Sequence, residues 1–106
     1  MANTFTSYVN KDVGTSATTV VTGTGQTTVI GMTIANTSSS PISASVYITR
    51  SGTDYYIVKN ATVPVGGSLV PIGGDQKLVL VSGDVLKVVS SAASSADVIT
   101  SMLVIS

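Results

Sequence analysis

The chain has 106 residues, no cysteine, no histidine and no glutamate, and its five basic and five acidic residues cancel to zero net charge. That excludes disulfides and thiolate metal sites and removes the commonest acid–base catalyst and metal ligand. Lys11, Arg50, Lys59, Lys77 and Lys87 are scattered singly, so no basic patch can neutralise phosphates and no nucleic-acid partner is expected.

Charged residues make up 9% of the chain, against roughly 25% in a typical soluble protein. Low charge with no net charge is poor for a free monomer, and self-association would relieve it. The length fits one domain, residues 1–106, whose modest core would gain from a partner chain. No basic stretch followed by an apolar core opens the sequence, so no secretory signal is expected. The longest apolar runs are far too short to span a membrane as a helix, so no membrane partner is expected.

Ser, Thr, Val and Ile dominate and favour pleated strands. In chain order, "FTSYV" (Phe5 to Val9) and "TSATTVV" (Thr15 to Val21) are polar strand candidates, and residues 1–25 are expected to form a more extended N-terminal arm. "TTVIGMTIAN" (Thr27 to Asn36) alternates, with Ile30, Met32 and Ile34 on one face. "ISASVYITR" (Ile42 to Arg50) alternates too, and "DYYIVKNATV" (Asp54 to Val63) is its natural hairpin partner. "KLVLV", "DVLKVV" and "DVITSMLVIS" complete about eight strands.

Turn signals separate these runs at intervals of about ten residues, the spacing of an all-β sandwich or barrel. They fall at Gly23 to Gln26, Asn36 to Pro41, Arg50 to Asp54, Val65 to Ser68, Ile72 to Asp75, Ser82 to Asp84 and Ser91 to Asp97. The expected fold is an antiparallel β-sandwich, jelly-roll or immunoglobulin-like, with no significant helix. Its core should include Ile30, Met32, Ile34, Val46, Ile48, Leu78, Leu80, Leu86 and Val88.

"KLVLVSGDVLKVV" (Lys77 to Val89) reads as a hairpin. A three-residue loop, Ser82 to Asp84, pairs Leu80 with Leu86 and Leu78 with Val88 and gathers the leucines on one face. Asp84 is then a turn residue. Val79, Val81, Val85 and Val89 point the other way, and the last strand is apolar on both faces. Strands apolar on both faces call for a second covering layer. The expected oligomer interface is Val79, Val81, Val98, Met102 and Val104, in a homo-oligomer such as a trimer or ring.

The sequence offers little catalytic chemistry. Asp12, Asp54, Asp75, Asp84 and Asp97 all fall at turns or strand starts, where aspartate serves local hydrogen bonding. No calcium-loop pattern is present, and serine has no histidine base. "GTGQTT" lacks the lysine of a phosphate loop. "NTS" at Asn36 and "NAT" at Asn60 match glycosylation acceptors, as chance matches in so Ser/Thr-rich a chain. Tyr47, Tyr55 and Tyr56 surround one hairpin; they either pack across the sheet or form an exposed surface for sugar or a partner. The expectation is no enzyme, no cofactor, no catalytic residues and no metal ligands.

The motifs "ANTSSS", "KNATVPVGGSLV", "LVLVSGDVLKV" and "DVITSMLVI", spread over residues 29 to 106, resemble those of small virion structural proteins of tailed bacteriophages and cyanophages. The resemblance implies a non-enzymatic assembly protein located in the virion, on the capsid surface or at the neck or tail. Capsid decoration or cementing is the leading expectation, with the major capsid or tail proteins as further partners. A tail- or fibre-associated receptor- or carbohydrate-binding module is the alternative, with the tyrosine hairpin as its site. No site residues carry over from the resemblance.

Overall fold

A computed structural model describes residues 3–73 and 76–105. It contains nine strands and, among the described residues, no helix. They are β1 (Asn3–Val13), β2 (Thr18–Thr22), β3 (Gln26–Asn36), β4 (Ile42–Arg50), β5 (Thr53–Val63), β6 (Ser68–Ile72), β7 (Leu78–Leu80), β8 (Val85–Ser90) and β9 (Ala96–Ile105). All pairings are antiparallel. One sheet runs β1-β9-β3-β6, with β7 also paired to β3; the other runs β2-β8-β4-β5. Apart from the added β7, these two orders are those of a jelly roll, in which the chain changes sheet at most connections. The sandwich expected from the sequence is therefore present.

Among the described residues, only β4 and β5 form a two-residue hairpin. Its central residues, Ser51 and Gly52, have φ of 53° and 79°, as a type I′ turn requires, and this turn matches the twist of the flanking strands. Residues 1–25 do not form a separate arm where they are described: β1 pairs along β9 and β2 along β8.

β6 has no counterpart in the sequence reading. It is five residues long and contains Pro71. Pro71 and Val70 together face Thr33, a bulge between the Met32–Ile72 and Ile34–Leu69 pairs. A proline is tolerated there because β6 is an edge strand whose outer side needs no ladder donor. Of the expected turn at Ile72 to Asp75, Gly74 and Asp75 lie outside the described residues.

Met32, Ile34, Val46, Leu80, Leu86 and Val88 are buried between the sheets, and Ile48 and Leu78 pack against them. Ile30 is a correction. The β3–β9 register shifts between Val29 and Gly31, so the alternation breaks at Ile30. Val29 takes the core position and Ile30 is only half-buried. A single extra residue in a strand has this effect, because side chains alternate with a period of two.

The expected hairpin at Ser82 to Asp84 is also corrected. β7 pairs with β3 in one sheet and β8 with β2 and β4 in the other. "SGD" is therefore a corner that carries the chain from sheet to sheet. Leu80 and Leu86 both reach the core, but from opposite walls. Gly23 lets the corner approach: a Cβ there would lie 2.5 Å from the Val81 carbonyl oxygen.

Asp84 shapes this corner as more than a turn residue. Its N–H donates to the Val81 carbonyl at 3.0 Å, and its carbonyl accepts from Gly23 N–H at 2.8 Å. Its side chain is 1% exposed and accepts two bonds from Arg50, Nε to Oδ1 at 2.8 Å and Nη2 to Oδ2 at 2.6 Å. Val81 N–H donates to Oδ2 at 3.0 Å. Two-pronged, charge-assisted pairing of this kind is among the stronger polar contacts. Arg50 at the end of β4 thus ties the four-stranded sheet to the corner.

The Arg50 hydrogen bonds, helped by the Val81 N–H and opposed by burial, hold the Asp84 carboxyl below its ordinary pKa. The stability from a depressed aspartate is present above the unfolded value of about 3.9 and is lost as pH falls through the lower folded value. Asp97 is lowered too, by the Asp12 N–H and by Lys11. Asp84→Asn should therefore cost stability at pH 7 and flatten only part of the acid dependence. Urea melts at pH 7 and below pH 3 should show the gap between variant and wild type narrowing in acid; a constant gap would mean the charge contributes nothing.

Candidate interaction face on the five-stranded sheet

The register of β9 decides which side of the last strand faces outward. Ala96, Val98, Thr100 and Met102 are buried, while Ile99 is 53% exposed. The expected interface is therefore reversed on this strand. Val98 and Met102 belong to the core, at 0% and 1% exposure, and Val104 packs half-buried against it. Val79 and Val81 are exposed as expected. The outward row of β9 is Asp97, Ile99, Ser101, Leu103 and Ile105.

Neighbouring strands extend this row sideways. Phe5 and Val9 of β1 lie opposite Leu103 and Ile99. On the other side Leu103 faces Thr28, and Thr28 faces Val79 of β7. Phe5, Leu103, Thr28 and Val79 thus cross the sheet in one line. Val9, Ile99 and Thr33 form a second line, with the bulged Val70 beyond it. Phe5 and Val9 are each 72% exposed.

The polar end of the face is marked by Lys11, whose Nζ lies 3.2 Å from Asp97 Oδ2. A shallow depression lies at each end of the face. One of about 240 Å³ lies between Val9, Lys11, Asp97 and Ile99. The other, of about 330 Å³, lies beside Thr28, Val79, Val81 and Ile105. An apolar sheet face with a charged rim, left uncovered by the described residues, has the character of an interaction surface.

Phe5, Val9, Ile99 and Leu103 are not among the expected interface residues, although for Ile99 and Leu103, one of the two apolar faces of the last strand, a signal was present. Asp97 and Ser101 share a face with Ile99 and Leu103, and a charged aspartate belongs on the outer side.

The tyrosine hairpin is divided by its own register. Tyr47 pairs across β4 and β5 with Tyr56, and Ile48 with Tyr55, so Tyr55 points to the opposite face. Tyr47 and Tyr56 are close, with ring centroids 4.9 Å apart. Tyr47 is buried, and Lys59 Nζ sits 5.1 Å from the Tyr56 ring centre. Of the three, Tyr47 and Tyr56 meet as a packed cross-strand pair, and no shared three-ring platform forms.

The carboxylates of Asp54, Asp84 and Asp97 have local partners. Thr49 Oγ1 donates to Asp54 at 2.7 Å, and Asp97 accepts from Asp12 N–H at 3.1 Å and from Lys11. Asp75 lies outside the described residues. Among the described residues no group of three or more metal-ligating side chains comes together. Asn36 is buried. Its Nδ2 donates to the Ser40 and Val63 carbonyls at 2.9 and 3.1 Å, which makes it a pin for the β3–β4 loop and unsuited to a glycan. No protein-family model matches the chain, and no curated protein matches it.

Proposed function

We propose that this protein is a non-enzymatic structural module that works as a homo-oligomer, most concretely as a virion protein decorating or cementing a phage capsid. The observation that carries the assembly reading is the uncovered apolar face built by Phe5, Val9, Ile99, Leu103 and Val79. Burying such side chains contributes about 1.5–3 kcal/mol each before the cost of association is subtracted. A chain with 9% charged residues and no net charge has little else to keep copies apart.

The virion setting rests on the resemblance of residues 29–106 to phage structural proteins. The jelly-roll order agrees with it, since such sandwiches recur in viral capsid and lectin domains. Fold alone does not choose between those two classes. Tyr47 is buried against Tyr56 and Tyr55 lies on the other face, so the three rings share no single surface, which favours assembly over the sugar-binding alternative.

Native mass measurement at micromolar concentration tests the reading. The wild-type chain should run as an oligomer. Ile99→Asp should shift it to smaller species while keeping the β circular dichroism spectrum. A wild-type monomer indistinguishable from Ile99→Asp would remove the proposal.

A further inference from the structure

The sandwich has several exposed strand edges, and they are not equally protected. An unpaired edge is a template for another strand, and proteins blunt it with short strands, bulges, prolines or charges. β7 has three residues; β6 has five, with Pro71 and a bulge. β2 has five and a register shift between Thr19 and Val21. β5 is long but carries Asp54 and Lys59, two register shifts against β4, and Asn60 at a φ of 56°.

β1 differs from all of these. It pairs only with β9. From Asn3 to Asn10 it has no charge and no proline, and its register with β9 is unbroken. The shift and the positive-φ residue, Asp12, come only at its C-terminal end.

We infer that this edge pairs with β1 of a second copy, antiparallel and centred on Ser7. This rests on the self-association reading above and names the contact that begins it. The occupant is a second copy because the strand is complementary to itself in this register. Around Ser7 opposite Ser7, Phe5 faces Val9 of the second copy and Val9 faces its Phe5. These two aromatic–β-branched pairs lie on the same outer face, the type that stabilises cross-strand contacts. Asn3 faces Lys11 of the second copy, so no like charges oppose. The two five-stranded sheets become one, and the apolar rows Leu103–Phe5 and Ile99–Val9 run on across the two-fold axis. A two-fold contact of this kind is self-complementary and closed.

The chain has no native cysteine, so a single Ser7→Cys variant reports the contact directly. Opposed residues in an antiparallel pair lie about 4.5–5.5 Å apart at Cα, within disulfide reach. Under mild oxidation at micromolar concentration Ser7→Cys should form a covalent dimer at least about tenfold faster than Thr62→Cys on the β5 edge, because pairing raises the local thiol concentration. Asn3→Cys, which faces lysine in this register, should behave like Thr62→Cys. Ser7→Cys linking no faster than Thr62→Cys overturns the pairing, and Asn3→Cys linking as fast as Ser7→Cys overturns the register. If the wild-type chain is an oligomer by mass and Ser7→Cys still fails to link, only the edge pairing falls. If the wild type is a monomer, the assembly reading falls with it.

Discussion

Met102→Asp should destroy the folded protein, whereas Ile99→Asp, three residues earlier on the same strand, should leave it folded. Met102 is 1% exposed and sits between the sheets, opposite Val29 on one neighbour and Thr6 on the other. A carboxylate there would have no cation within the apolar core. An uncompensated buried charge costs several kcal/mol even after relaxation, and the cavity left by the thioether adds to it. Against a total stability of about 5–15 kcal/mol for a domain, that is enough to unfold a large fraction of the chain. The measurement is circular dichroism with a thermal melt on both variants. A folded Met102→Asp with a normal melting curve would mean the strand is turned over and its other face is the core.

Leu80→Ala should cost about 2–5 kcal/mol, toward the upper part of the range for buried leucines. Leu80 is fully buried although β7 is only three residues long. Its neighbours have little freedom to close the gap. Gly23 lies against it, and the corner that follows is held by the Arg50–Asp84 pair. A site that cannot collapse keeps its cavity, and the cavity sets the cost. Val79→Ala, one residue away and 60% exposed, should change the stability of the dissociated subunit by no more than about 0.5 kcal/mol. Chemical denaturation of the two variants gives the comparison. Similar costs would contradict the placement of β7.

The alternation of β3 and β4 is a local property, so it was legible and most of its core positions follow from it. What could not be read locally is which strand lies beside which. "KLVLVSGDVLKVV" buries Leu80 and Leu86 equally well as a hairpin or as a corner between sheets. Burial therefore cannot distinguish the two, and the choice is made by β3 and β4, far away in sequence. β6 was hidden because Pro71 argues against a central strand and says nothing against an edge. On β9 both faces are apolar, and hydrophobicity alone leaves the strand free to turn either way. Asp97 and Ser101 identify the outer row, a weak signal beside six large apolar side chains. Arg50 and Asp84 are each ordinary turn-flanking residues in sequence; only the corner brings them together.

The strand order has a consequence for how the molecule comes into being. β9 lies between β1 and β3, so β1 finds its neighbour only after β9, far along the chain, has been made. Until then β1 and β3 have no strand in common and the core lacks one wall. Closing so long a loop costs entropy before any contact repays it, and sandwiches dominated by distant pairings fold in about milliseconds to seconds. During that interval the uncharged edge of β1 is exposed on chains that have no finished core. The feature that suits it to pair two folded copies also lets unfinished ones stick to each other. Yield of folded protein should therefore depend on the rate of synthesis, and cooler, slower expression should favour it.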